Sequence, residues 1–467
     1  MKKKLAAIVL SAAMVMSLCA CGSSTTAQSG ETKATSDAAE ATEETTETTE
    51  AASEDTATET ATGLKGHFSI YHFHAEDESG TSKAFWAAAN KFQEENPNVQ
   101  IDYIFTDSNN YQEKLTTYMA GDELADVWLT KGDMLPTFAD GGLIQSADQY
   151  ISKDSDWSSK YVEGAFTDCT YDGKQWGVPF QMQANCIGVY NQAIFDECGI
   201  KGWPETWTEL LEDCEKIKAA GYTPIGMGNK DQWLAESAVF NTYAYKYVDQ
   251  DWFNSLSSNE GAKFTDEKFV KALAGFQNIA QYFNSDMNSI DQDEMYSLYY
   301  NKKCAMFFNG AWSIGTLLEN CPEDVLSNTH VGLMPAVEGE SGTKFDTAAG
   351  AGWNYVVNSK LEGDDLTACL AFLKAVTTDA YADDALAQGF ISAAKTTDTC
   401  DMSSLKPLFS EYYELASTMN NCSIFDCVLP SEVGSGVLYA DTQQLIANSI
   451  TPEDMAADCQ SALEANY

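Results

Sequence analysis

Between His67 and Leu129 the apolar spacing alternates between the two-residue period of a strand and the 3.6-residue period of a helix, which restricts the chain to an α/β fold. His67–Phe73 reads as a strand. Lys83–Glu94 sets Phe85, Ala88, Ala89 and Phe92 on one helical face, and Asn96-Pro97 stops it. Val99–Phe105 alternates as a second strand, Tyr111–Met119 is helical up to Gly121, and Ala125–Leu129 is a short buried strand. This order predicts an open, mostly parallel sheet with flanking helices. Ligands of such sheets sit beyond the carboxyl ends of the strands, here near His74 and near Thr130–Asp133.

Further on, Tyr171-Asp172-Gly173 predicts a turn, and Trp176–Phe180 leads to Ile187–Tyr190. Thr206, with Glu209 three residues on, predicts a capping box for a helix that runs to about Ala220 and ends at Gly221. Trp233–Tyr300 reads as mostly helical, Lys303–Phe308 and Asn354–Val357 as strands. The roughly 400 residues from Gly63 onward exceed the ~250–300 at which a single core usually divides. Two lobes are expected.

The residues before Gly63 are a different material. Lys2, Lys3 and Lys4 precede an apolar run, Leu5–Leu18, shorter than the ~20 residues that span a bilayer. Leu18-Cys19-Ala20-Cys21-Gly22 resembles a bacterial lipobox, so residues 1–20 are expected to be a signal peptide and Cys21 to carry the lipid. Cleavage after Ala20 as an ordinary signal peptide is the alternative. Ser23–Thr62 is almost wholly Ser, Thr, Ala, Gln, Gly, Glu and Asp, with Lys33 its single base. Such a segment cannot bury enough apolar surface to offset its ordering entropy, which predicts a disordered linker over 21–62 with a mean span of roughly 35 Å.

A net charge of −43 argues against nucleic acid or anionic lipid as partners. All 27 basic residues are lysines. Without arginine, bidentate capture of phosphate or carboxylate is not available, which favours a neutral ligand. Eleven cysteines follow Cys21 without a metal-ligand spacing; most read as free and buried, which suits a host living without oxygen, with a few surface disulfides as the alternative. His72 and His74 share a strand face but lack a third imidazole or paired thiol, so no metal and no other cofactor is expected.

Several fragments then occur in a family's order: Tyr171-Asp172-Gly173-Lys174 with Val178-Pro179; Tyr190-Asn191 with Phe195; Pro204-Glu205-Thr206-Trp207 with Glu209; Asn309-Gly310-Ala311-Trp312; and Gly350-Ala351-Gly352 before a strand. Over residues 66–465 the chain resembles the extracellular solute-binding proteins of carbohydrate importers, the group of maltose-binding protein. One departure is Gly188-Val189 before Tyr190, where the family has two bulky apolar residues; this touches packing more than function. The resemblance implies a two-lobed periplasmic-binding-protein-like fold, with 63–181 and 352–397 in the N-terminal lobe and 182–351 and 398–467 in the C-terminal lobe. Crossing segments are expected near Phe180–Gln183, Gly350–Tyr355 and Ala394–Thr399. It implies a monomer, lipid-anchored on the outer face of a Gram-positive cytoplasmic membrane, that delivers a sugar, most simply an oligosaccharide, to the permease subunits of an ABC importer.

A sugar ring has C–H faces and a hydroxyl rim, and so needs flat aromatic rings with short polar side chains at their edge. By the resemblance Trp233 and Trp312 are stacking rings, with Asp231 and Asn309 as polar companions, and Trp353 faces cleft or hinge. Asp133, His74, Glu76 and Gln183 match polar contact positions. Trp233 also has a bland reading as a core tryptophan that starts a helix, and Asp133 one as a solvated loop acid. A glycoside hydrolase would also need aromatic platforms and two placed carboxylates, and spacing among some 70 acids leaves that alternative open. A polyamine, peptide or polyol binder is the other alternative; a polyamine binder would favour an acidic cleft.

Overall fold

The structure, a computed structural model, describes residues 63–76 and 80–467. The signal segment, Cys21 and the acidic linker lie outside the described residues. Besides a two-residue hairpin, Thr170–Tyr171 with Lys174–Gln175, the strands of the first half in chain order are β1 (Gly66–His72), β2 (Val99–Phe105), β3 (Val127–Lys131), β4 (Val178–Pro179), β5 (Gln183–Ala184) and β6 (Ile187–Asn191). Those of the second half are β7 (Thr223–Gly226), β8 (Cys304–Asn309), β9 (Thr329–Gly332), β10 (Asp346–Gly350), β11 (Trp353–Val357) and β12 (Asn420–Cys422).

One sheet runs β2–β1–β3–β11–β4 and a second β9–β6–β8–β7. The α/β architecture expected from the alternation is present, but the sheets are mixed. β1 pairs parallel with β2 and β3, while β11 lies antiparallel to β3 and β4. In the second sheet only β7 and β8 run parallel. The reason is connectivity. β11 enters the first sheet from the segment that follows β10 and runs against β3, while β4, antiparallel to β11, runs in the sense of β3 and leads out towards β5.

Local chemistry sets several boundaries. The helix α1 (Thr81–Glu95) buries Phe85, Ala88, Ala89 and Phe92, the face read from the sequence. α2 (Ser108–Ala120) begins three residues earlier than expected because the Asp107 carboxylate accepts the Asn110 N–H and caps it. β3 starts two residues late and runs on to Lys131. Its expected second residue, Asp126, instead accepts from Ser69 N and Oγ at 2.8 Å, and β11 extends the ladder to a Trp353–Lys131 pair.

Two buried apolar clusters form. One gathers Phe68, Trp128, Phe180 and Tyr355; the other gathers Ile187, Phe240, Phe307 and Phe425. Where the chain passes between them, three stretches lie side by side. Gln183 of β5 pairs with Gly350 of β10, Gln181 bridges Ser392, and Met182 N donates to Ile391 O at 2.9 Å.

The departure at Gly188 has a packing cause. Gly188 of β6 faces Gly332 of β9, and a Cβ on either would lie 2.1 Å or 2.4 Å from the Trp203 ring. That indole fills the flat patch the two glycines leave, donates to Leu333 O at 2.6 Å, and packs on Tyr190 and Phe308. Helix α3 (Trp207–Ala219) follows with the expected capping box: Thr206 Oγ1 accepts from Glu209 N, and the Glu209 carboxylate accepts from Thr206 N, both at 3.2 Å. Thr206→Ala is expected to cost about 1 kcal/mol in urea unfolding; no change would mean the box is idle.

All eleven described cysteines are free, eight of them buried. Burial pushes the Cys186 and Cys304 thiols up to about 12, which makes them inert core residues.

Candidate functional site

A cavity of about 670 Å³ opens between the two clusters. Gln112, Glu113 and Thr116 of α2 form one wall. Asp231, Gln232, Ser431, Glu432, Ser435 and Tyr439 form the other. This second wall is built from two wide π-helical turns, Leu234–Phe240 and Glu432–Leu438, and the loops before them. Such turns concentrate at functional sites because they break the regular register of a helix. Gln232 sits at φ 68°, a left-handed conformation uncommon outside glycine, and its amide donates to Gln443 at 3.1 Å.

Behind the cavity lies a buried ionic knot that bridges the two clusters. Lys131 Nζ, at the end of β3, donates to Asp426 Oδ2 at 2.5 Å and to the Tyr439 hydroxyl at 3.1 Å. Tyr439 also donates to Asp426, and Ser237 Oγ donates to its other oxygen at 3.0 Å. Glycines permit the approach. A Cβ on Gly132 would lie 2.2 Å from Cys427 O, and one on Gly434 would lie 2.9 Å from Asp426 Cα. Burial alone would push the Lys131 ammonium down, but the adjacent Asp426 carboxylate reverses this and holds it well above the usual lysine range. Burial likewise opposes ionisation of Asp426; Lys131, Tyr439 and Ser237 outweigh it and keep its carboxyl below the usual range. Glu236 is fully buried, neither of its oxygens has a partner among the described residues, and burial pushes it well above the carboxylate range. Burial therefore favours its protonated form.

The nine residues singled out in the sequence fall in different places. Asp231 lines the cavity. Trp233 follows on the same lip, and its ring lies 5.9 Å from that of Trp312, whose Nε1 donates to Gln292 at 3.0 Å; both tryptophans are half-buried. Asp133 is 4% exposed and accepts from the cavity-lining Ser435 Oγ at 3.1 Å; its other oxygen has no partner among the described residues. Burial pushes its carboxyl up to about 7, with Lys131 opposing and Asp426 adding to the shift. Trp353 is half-buried, edge-on to Phe73 and Tyr111, with Lys131 Nζ 5.5 Å from its ring centroid. Gln183 is buried in the crossing strand, where its amide donates to Gln181 at 3.0 Å.

Of these six only Asp231 is among the residues that line the cavity, and the remaining three do not line it either. Asn309 is fully buried and donates to Gln292 at 2.8 Å and Tyr296 at 3.0 Å while accepting from Gly310 N, so its amide orders the loop that carries Trp312. His74 is buried, stacked on Phe85 and bonded to the Tyr355 hydroxyl at 2.9 Å, and burial holds it neutral. Glu76 is exposed. Among the described residues no group of three or more His, Cys, Asp or Glu is placed to hold a metal ion. Lys131, Asp426, Ser435 and Tyr439 were not singled out. The one hint was glycine spacing, Gly132 and Gly434-Ser435-Gly436, which marks close backbone approach.

A two-lobed α/β chain with a polar cavity between its cores is the architecture of a receptor that closes on a solute. The family model for the bacterial extracellular solute-binding proteins matches residues 75–383, and the chain belongs to that family. A binding protein of Brucella abortus (strain 2308) is 28% identical over 170 residues, 36% of this chain and 40% of that one. The maltotriose-binding protein of Pyrococcus abyssi (strain GE5 / Orsay) is 24% identical over 264 residues, 56% of this chain and 52% of that one. The chain thus spans about half the length of these curated relatives. A solved chitin oligosaccharide binding protein superposes with a TM-score of 0.76 at 21% identity over 86% of this chain and 98% of that chain, which shows a shared fold.

Proposed function

We propose that the chain is the substrate-binding component of an ABC importer, which takes a sugar into the cavity between its lobes and passes it unaltered to a membrane permease. The observation that carries this reading is a polar cavity of about 670 Å³ with walls from both lobes, in the ~300–1,000 Å³ range of small-molecule sites and large enough for an oligosaccharide. The half-buried Trp233 and Trp312 rings beside Asp231 supply stacking surface. If each stacked ring removes about 100 Å² of apolar area from water, the gain is roughly 2.5 kcal/mol per ring. The relatives named for maltotriose and chitin oligosaccharides support the ligand class.

In this reading Asp231, Trp233 and Trp312 meet the ligand directly. Asp133, Gln183 and Trp353 border it from the floor and the crossing strands, and Asn309 holds the Trp312 loop. His74 and Glu76 shape the end of β1. The lobes close about the crossing segments, and ligand shifts the population toward the closed shape. The chain acts as a monomer, tethered by a lipid on Cys21 to the outer face of the cytoplasmic membrane, with the acidic linker as spacer. Adding the right sugar should change tryptophan emission and raise the melting temperature, and the sugar should be recovered intact. Trp312→Ala should weaken binding by about 2 kcal/mol, roughly thirty-fold. Normal binding by that variant would show that the rings are misassigned, and hydrolysed sugar would point to an enzyme.

A further inference from the structure

We propose that the saccharide this cavity prefers carries a protonated amine, an inference that rests on the sugar-binding reading above. The absence of arginine argues only against anionic ligands and leaves the choice between neutral and cationic sugars open. The cavity wall decides it. Glu113 comes from one lobe, Asp231 and Glu432 from the other, and no lysine is among the described residues that line the space. Two neighbouring cations are already engaged, Lys230 with Asp291 at 3.5 Å and Lys131 with Asp426, and Lys114, exposed beside Glu113, is not among the lining residues.

A second observation lies behind the wall. Asp133 is 4% exposed, gives one oxygen to the cavity-lining Ser435 and leaves the other without a partner among the described residues. With its carboxyl pushed up to about 7, Asp133 carries little charge at pH 6, and the negative charge is crowded around the lip instead. The Asp231 carboxyl is raised by burial first, then, against the pull of Lys230, by Asp291 and by Asp107, which caps α2 on the opposite lobe. Asp293 is raised by burial and by Asp291 and Asp231. When lobes close, carboxylates from both sides are brought together while water leaves, and their repulsion strengthens as the local dielectric falls.

A sugar bearing only hydroxyls can donate hydrogen bonds to these groups but does not lower the charge. A uronate raises it. An ammonium on the ring neutralises it and still presents C–H faces to the Trp233–Trp312 pair, which a linear polyamine lacks. The pattern therefore fits an amino-oligosaccharide better than a neutral one.

The test is calorimetric titration of the full chain at pH 6 with four probes: a β-1,4-glucosamine oligomer, its fully N-acetylated counterpart of equal length, a galacturonate oligomer, and spermidine. The glucosamine oligomer should bind about ten-fold more tightly than the acetylated one at low salt, with the ratio falling as salt screens the charges. The uronate should not bind. In the triple variant Glu113→Gln, Asp231→Asn, Glu432→Gln the ratio of the two dissociation constants should move toward one. Equal or tighter binding of the acetylated oligomer, or an unchanged ratio in the variant, overturns the amine proposal and leaves the sugar-binding reading intact. Spermidine binding more tightly than either sugar, or no saccharide from a wider panel binding at all, overturns both.

Discussion

Lys131→Met is expected to destabilise the protein by about 3–5 kcal/mol, because it strands a buried charge. Asp426 is fully buried, and its two oxygens take bonds from Lys131, Tyr439 and Ser237. With the ammonium gone, two neutral donors remain against the desolvation of a carboxylate. The pH dependence should change with it. In the parent chain the Asp426 carboxyl is held below its usual value, so the pair contributes stability that is present above about pH 4 and is lost as pH falls through the folded-state value. In the variant burial dominates and pushes Asp426 upward, so stability should instead fall as pH rises. The double variant Lys131→Met, Asp426→Leu removes both charges and should recover most of the loss, since a buried pair replaced by apolar groups is often near neutral. Urea unfolding of the parent, both single variants and the double variant gives the coupling directly. A Lys131→Met protein within about 1 kcal/mol of the parent would show that the knot is solvated and not a buried pair.

The knot also shows where reading residues in order succeeds and where it stops. Strands, helices and caps were legible because their signals are local: the α1 face from its 3.6-residue period, the α3 start from Thr206 and Glu209, and the hairpin at Asp172-Gly173 from two residues that accept positive φ. The mixed sense of the sheets was not, since it depends on β11, which joins β3 from more than 220 positions away. The π-helical turn Leu234–Phe240 has no periodicity of its own and reads as part of the helical stretch from Trp233. Asp231, Trp233 and Trp312 were singled out by resemblance alone, and the two rings lie 5.9 Å apart. Lys131 and Asp426 are 295 residues apart, one at a strand end and one on a short helix, and nothing in either neighbourhood announces the other. Only the glycines that let the backbones approach left a trace.

Asp133→Asn is expected to stabilise the protein at pH 8 and to leave it unchanged near pH 4. The Asp133 carboxyl is pushed up to about 7, so the folded chain holds a proton there that the unfolded chain releases near pH 4. Between those values the folded state binds more protons than the unfolded state, and stability must fall as pH rises. A shift of about three units corresponds to roughly 4 kcal/mol, fully expressed only above pH 7. Asparagine copies the protonated acid closely: its carbonyl oxygen can still accept from Ser435, and its NH₂ stands where the unpartnered oxygen of Asp133 now lies. The variant therefore removes the cost of ionising a buried group without removing the cross-lobe bond. Glu236, also buried and raised, adds a background of the same sign that both proteins share, so the difference between them isolates Asp133. Melting temperatures measured from pH 4 to pH 8 should diverge steadily, with the variant higher at the alkaline end. Parallel curves across that range would mean that Asp133 is ionised throughout and faces water.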